Sequence, residues 1–404
     1  MAQDSPNPKQ QEEPASQGML DGAKALVMGE RRMLFMKQPQ MKRMIYVLTA
    51  VMLSGIYFFG WRVLALVLVS CLTCLVVEGI TTRSRKAPIS MAVFVTAMLF
   101  GLSLPATTPY WVAAVGALVG ILFGKEVFGG FGRNFANPAI VGRAFVYISF
   151  PTYLTARFVP AFQGFPGGFA HWSWRTAGIP GWFSQIPGGP MDVDAVSMAS
   201  PMWVSKRYGL STAFQESSTN LWEMFLGNIN GWFTTPDGQV VPLTAGSAGE
   251  GCTLLIVLAA VYLLWTRTAN WRLITGGAIG LAFATVLFRY VLGFDEEKTG
   301  VPPLQFTLVA GTTMYALVFM FTDPVSAPRA NLAKWAYSFL IGFLVVFLRW
   351  RGIFVAAASF SILLGNISAP LIDIWATKYI TWRKNRAKAK EPPPGTAAEA
   401  KEAA

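Results

Sequence analysis

Apolar runs alternate along the chain with short polar turns, and most come close to the ~20 residues needed to cross a bilayer once flanking aromatics and tilt are allowed for. The first five are Met44–Phe59, Val63–Ile80, Ile89–Leu104, Tyr110–Gly124 and Pro138–Ala156. The second five are Cys252–Thr266, Leu273–Leu292, Leu304–Thr322, Trp335–Leu348 and Ile353–Ala376. Between the two sets lies Arg157–Gly249, rich in Gly, Pro, Trp and Ser and too weakly apolar to span. The pattern predicts an all-α polytopic membrane protein of about ten transmembrane helices. It divides into a polar, basic head (1–42), helices one to five (43–156), a long loop (157–250), helices six to ten (251–377) and a disordered tail (378–404). Residues 1–20 show no cleavable leader and read as disordered.

Composition agrees. The 404 residues are 53% hydrophobic and only 13% charged, about half the charged share of a soluble domain. The net charge of +12 does not point to nucleic acid, because the basic residues sit at the ends of apolar runs, where they set orientation. Lys37, Lys42 and Arg43, Arg83, Arg85 and Lys86, Lys125 and Arg133, Arg267 and Arg272, Arg329 and Lys334, and Arg383, Lys384 and Arg386 fall on one side. Pro105–Pro109, Asp295-Glu296-Glu297 and the long loop fall on the other. Arg62 and the Arg349/Arg351 pair are the exceptions. Both termini are therefore expected in the cytoplasm, with 157–250 outside a bacterial cytoplasmic membrane. The single His171 excludes a polyhistidine metal or haem site made by this chain alone, and Cys71, Cys74 and Cys252 suggest no disulfide framework.

A repeat of five plus five helices is suggested by Pro105-Ala-Thr-Thr-Pro109 after the third run and Pro324-Val-Ser-Ala-Pro328 after the eighth. Asn137-Pro138 and Asn366-Ile-Ser-Ala-Pro370 add a second correspondence. A repeat with an odd number of spans is inverted across the membrane, and sites in such folds lie near the repeat interface. The segment Gly124–Phe145 stands out because glycines, two Asn and three basic residues interrupt two apolar runs. Its backbone polar groups need partners in a poor solvent, so it is either a solvated turn or an interfacial segment that holds a ligand.

Among possible chemical groups, Glu78 ends the second run and Asp323 ends the eighth, while Asp373 lies in the last without a partner on its own helix. Acids inside a membrane are costly and usually purposeful. The bland alternatives are a headgroup-exposed Glu and an Asp-Pro turn. Cys71 and Cys74 form C-x-x-C, which in an apolar helix more often marks two core positions than a redox pair. The loop segment Met191-Asp-Val-Asp194-Ala-Val-Ser197-Met198-Ala-Ser200 carries two acids and two hydroxyls. No G-x-S-x-G elbow accompanies His171, which argues against a serine hydrolase.

Lys125–Phe145 (K-E-V-F-G-G-F-G-R-N-F-A-N-P-A-I-V-G-R-A-F) closely resembles the B subunits of sodium-translocating NADH:quinone oxidoreductases. Phe94-Val-Thr, Leu226-Gly-Asn-Ile, Thr322-Asp-Pro-Val-Ser-Ala327 and Lys334-Trp-Ala-Tyr337 match in the same order. The related D subunit of the Rnf ferredoxin:NAD complex is the alternative within this family, and a non-redox transporter or channel on the same repeat is the alternative outside it. The resemblance implies an FMN joined through its phosphate to Ser200, which stands where the family motif D-x-x-S-G-A-T has its acceptor Thr; Met198 replaces the motif's Gly. It also implies a non-covalent riboflavin near Asn134 and Asn137, and a quinone site near Glu78, where Cys74-Leu75 replaces a family Gly-Gly. Implied partners are the other subunits of the complex, quinone, an FMN transferase and the bilayer. Asp323 and Asp373 are candidates for an ion path only as acids near the membrane.

Overall fold

A computed structural model describes residues 35–155, 158–173, 200–209, 220–229, 232–234, 238, 240–244, 246–294, 300–352 and 357–388. The helices that build the bundle and its cavities are α1 (Pro39–Phe59), α2 (Arg62–Arg85), α3 (Ala92–Leu102), α4 (Tyr110–Ile121), α5 (Pro138–Ser149), α6 (Pro201–Tyr208), α7 (Thr253–Trp265), α8 (Trp271–Thr285), α9 (Leu304–Val309), α10 (Asn331–Arg351) and α11 (Ala357–Lys388). Wider π-helical turns prolong α4 over Leu122–Glu126 and α8 over Val286–Val291. A two-stranded antiparallel ribbon, β1 (Trp232–Thr234) with β2 (Val240–Pro242), is the one sheet among the described residues.

Each predicted apolar run contains helix. Five helical stretches are long and apolar enough to cross a membrane: Pro39–Phe59, Arg62–Arg85, Trp271–Val291, Asn331–Arg351 and Ala357–Ala387. The chain is a multi-pass membrane protein. α2 shows why its outer face needs no protein cover: Leu68, Leu72, Val76 and Ile80, four residues apart, are each more than half exposed. Such a stripe is unfavourable in water and at home in lipid, while the helix satisfies its own backbone. Inside, small residues let the backbones meet. A Cβ on Gly142 of α5 would lie 2.6 Å from the Gly116 carbonyl of α4, and one on Gly342 of α10 would lie 2.2 Å from the Gly277 carbonyl of α8.

The eighth run is broken. α9 stops at Val309, Gly311 takes φ +69°, and the chain resumes as a helical turn and a π segment, Ala316–Met320. The Asn/Pro pairs also differ between the halves. Asn137 caps the start of α5, its Oδ1 accepting from the Ala139 N–H at 3.0 Å, whereas Asn366 lies within α11 and donates to the Ile362 carbonyl at 3.0 Å.

The bundle has two distinguishable ends. At the basic end Arg43 donates to the Thr266 carbonyl at 2.8 Å, and the Met36 N–H reaches the Ile89 carbonyl at 2.9 Å. At the loop end Arg62 donates to the carbonyls of Ala106 (2.7 Å) and Thr108 (2.9 Å), which gives this exceptional basic residue a capping task. The described parts of the long loop fold back there. The Ala248 and Gly249 N–H groups donate to Leu104 and Leu102, and Met202, Val204, Met224 and Leu243 are buried.

Candidate functional site

Two cavities lie between the helices of the first half and those of the second, one at each end. The basic-end cavity is lined by Lys125, Phe131, Asn134, Asn137 and Asp323, with apolar walls that include Leu99 and Phe319. The loop-end cavity is lined by Ser200, Arg143, Arg349, Glu250 and Ser247, with Trp203 on its wall. The structure thus gathers Asn134, Asn137 and Asp323, which are far apart in sequence, and places Ser200 separately from them.

At the basic end the local sequence explains the geometry. The π turn at Leu122–Glu126 widens the last turn of α4, and both Lys125 and Glu126 are buried. Lys125 donates to Glu78 Oε2 at 2.5 Å and Ser90 Oγ at 2.7 Å, and Glu126 Oε1 is 3.7 Å from its ammonium. Glu78 also accepts from the Ser90 N–H (2.9 Å) and hydroxyl (2.6 Å). Arg85 pairs with the other oxygen of Glu126 and donates to its carbonyl at 3.0 Å. Two cations and two carboxylates close this cluster at formal neutrality. Glu78 is 1% exposed, so it is not headgroup-exposed. The chain then turns through Gly130 at φ +91°, where a Cβ would meet the Arg85 guanidinium at 3.0 Å.

Asn134 Oδ1 is buried without a hydrogen-bond partner among the described residues. Asn137 is different: its carbonyl oxygen serves the α5 cap, which leaves its amide N–H groups as the groups available to a ligand. Asp323 lies just past the π segment in a turn, accepting from the Val325 N–H at 3.1 Å and the Ser326 hydroxyl at 2.8 Å. Burial pushes its carboxyl above the usual aspartate range, and these two bonds pull it partly back. Asp373 stands apart from both cavities. It accepts from the Arg329 (3.2 Å) and Ala330 (2.8 Å) N–H groups and tethers the turn before α10, so its partner lies in a loop.

At the loop end Ser200 caps α6, its Oγ accepting from the Trp203 N–H at 3.4 Å. Asp194, Ser197 and Met198 lie outside the described residues. Arg143 donates to Ser247 Oγ at 3.4 Å and Arg349 to the Thr307 carbonyl at 3.2 Å. Glu250 Oε1 accepts from the Ser247 N–H at 2.5 Å. The Nε atoms of both arginines and Glu250 Oε2 have no partner among the described residues. Lys206, outside the spans, donates to the Gly352 carbonyl; burial and the nearby Arg349 charge hold its ammonium below the ordinary lysine range.

Sequence reasoning passed over Arg143, Glu250 and Glu126, and treated Lys125 only as an orienting charge and Arg349 as a topological exception. The signal was present for Arg143, a cation inside a predicted span, since such residues mark functional sites by default. Cys74 is a buried core position with its Sγ 3.8 Å from the Ala117 carbonyl, whereas Cys71 is half-buried at the edge of the core; both are free thiols.

Orphaned amide, guanidinium and carboxylate atoms beside aromatic walls fit a planar heteroaromatic group at either end. Three relatives are each named as the B subunit of a Na(+)-translocating NADH-quinone reductase. The one from Azotobacter vinelandii is 35% identical over 73% of this chain and 62% of its own length. The one from Pseudoalteromonas atlantica is 32% identical over 74% and 63%, and that from Chromohalobacter salexigens 33% over 73% and 61%. The matched part of the chain thus spans about three fifths of these relatives. A family model covers residues 36–381, from before α1 into α11. By that match the chain belongs to the NQR2, RnfD, RnfE family.

Proposed function

We propose that this chain is the membrane flavoprotein component of a complex that passes electrons from NADH to quinone and couples this to Na⁺ export. The names of its relatives support this reading. So does one observation of the fold, which carries it: Ser200 at one end and Asn134 with Asn137 at the other line two cavities of a single bundle. In this reading Ser200 carries FMN as a phosphoester on the outer side of a bacterial cytoplasmic membrane. Riboflavin occupies the basic-end cavity on the cytoplasmic side, and both termini are cytoplasmic. The two halves form an inverted repeat of five plus five helices, and the cavities lie on its interface. NADH oxidation belongs to partner subunits, quinone is reduced near Glu78 and Lys125, and an FMN transferase loads Ser200. The relatives' names favour this over the Rnf-type reading.

The flavins would supply the redox chemistry. The chain's own residues do the rest. Capping holds Ser200 Oγ at the cavity wall, where an aliphatic hydroxyl can be esterified. Asn134 offers an acceptor and Asn137 its donors to a polar ring edge or ribityl hydroxyl. The apolar walls keep water from both. Asp323 and Asp373 are acids that an ion path would use; Asp323 is the one beside a cavity.

The test is the flavin itself. Full-length protein co-expressed with its transferase should carry the FMN mass and in-gel fluorescence, and Ser200→Ala should lose both. Asn134→Ala should retain the covalent flavin and lose the extractable one. An unchanged in-gel signal in Ser200→Ala removes the assignment.

A further inference from the structure

The loop-end cavity contains more buried charge than the described residues pair. Arg143 and Arg349 are each only 6% exposed. A guanidinium has five N–H donors, yet the described residues give each of these one hydrogen bond, at 3.4 and 3.2 Å, and leave its Nε unpartnered. Glu250 is the one carboxylate among the described residues lining the cavity. It forms no ion pair within 4.0 Å of either arginine, and its Oε2 is also unpartnered. The formal balance of the three is +1. The break in the eighth run adds to the opening, because Gly311 brings no side chain where a Cβ would lie 3.3 Å from the Arg349 guanidinium. Burying an unpaired charge is unfavourable, and unpaired donors add to that. A chain that keeps two such cations beside an acid is built to receive a group that satisfies all three.

The donor set says which group. Two guanidiniums need acceptors, Glu250 Oε2 needs a donor, and the net charge favours an anion. A phosphodiester has acceptors and charge but no donor for Glu250. The pyrimidine edge of a flavin has two carbonyl acceptors flanking an N–H. After uptake of two electrons and one proton at N5, it also holds a negative charge at N1. We infer that Arg143, Arg349 and Glu250 recognise the ring edge of the flavin carried on Ser200, and that the two arginines favour its reduced, anionic form. This rests on the reading of Ser200 given above. The arginines are positioning residues whose effect is read in the potential of the bound flavin.

The experiment is a mediator-coupled spectroelectrochemical titration of the assembled complex, with covalent loading measured in parallel by intact mass. The samples are the unsubstituted protein, Arg349→Gln, Arg349→Lys and Glu250→Gln. Removing one guanidinium should weaken the preference for the reduced form about tenfold, which lowers the midpoint by about 30 mV for a two-electron couple. Arg349→Lys keeps the charge and should remain near the unsubstituted value. Glu250→Gln should move the midpoint upward, opposite to Arg349→Gln, which a general packing defect would not do. If Arg349→Gln does not assemble, an upward shift in Glu250→Gln beside an unmoved midpoint in Arg349→Lys decides. Equal loading with unmoved midpoints overturns the inference and leaves the Ser200 assignment standing. Reduced loading with an unmoved midpoint assigns the arginines to the phosphodiester and also overturns it. Absence of the FMN mass from the unsubstituted protein overturns the Ser200 reading and the inference with it.

Discussion

At the basic end, Lys125 meets Glu78 at 2.5 Å, Arg85 holds Glu126, and Ser90 supplies two further bonds to Glu78. At the loop end, the described residues give Arg143 and Arg349 one bond each, and the nearby Glu250 pairs with neither within 4.0 Å. Both ends remove charge from solvent. The first set neutralises itself and locks α2, α4 and the turn at 87–91 together. The second remains cationic and open to a cavity. Burial alone therefore does not distinguish a structural charge from a functional one; whether its partners lie within the protein does. Removing one partner of a buried pair strands the other, whereas removing an unpaired buried ion relieves a cost.

The largest expected effect follows from that contrast. Lys125→Met should destabilise the purified protein by about 3–5 kcal/mol, because Glu78 is left buried without its cation. Thermal unfolding in detergent checks this, and adding Glu78→Gln should restore much of the loss. A double variant no better than the single one would mean that the pair is not what Lys125 contributes. Arg349→Met, made in protein without flavin, should by contrast be neutral or stabilising, within about 1–4 kcal/mol on the favourable side. A loss equal to that of Lys125→Met would erase the distinction between the two ends.

A smaller effect separates the two asparagines of the basic-end cavity. Asn137→Ala removes the α5 cap and should cost about 0.5–2 kcal/mol. Asn137→Asp keeps the cap and removes the amide donors, so it should hold its stability and lose extractable flavin. Asn134→Ala should lose the flavin with little change in melting temperature. The smallest effect is the pH response of Asp323. Its folded carboxyl is raised by burial, so the folded state binds the proton more tightly than the unfolded one. Its contribution to stability is then fully present below the ordinary aspartate range and declines as pH rises through the raised value. Melting temperature followed from acid to neutral pH should fall less steeply in Asp323→Asn. A slope identical to that of the unsubstituted protein would show that Asp323 is not the group involved.

Much of the fold was legible in the chain. Apolar length alone located the helices of both halves, since a segment in hydrocarbon must satisfy its own backbone and read apolar on its outer face. Asn137-Pro138 announced a helix start for a local reason, an amide cap followed by a residue that needs no N–H donor there. The loop was less legible. Its sequence is too weakly apolar to span and marks no buried position, yet Met202, Met224 and Leu243 are buried against the bundle. Weak hydrophobicity spread over many residues gives no periodic signal, although a few of those residues can still anchor the segment.

The charges divide in the same way. That Glu78 and Lys125 each sit at the end of an apolar run is a property of the sequence, because position within a run sets the cost of ionisation. That they satisfy one another across 47 positions, while Arg143 and Arg349 line one cavity and find few acceptors among the described residues, depends on how helices far apart in the chain come together. Spanning segments follow from the polarity of the surrounding solvent, which each residue meets individually. Pairing depends on distances of a few ångströms between helices, and only the packed bundle sets those.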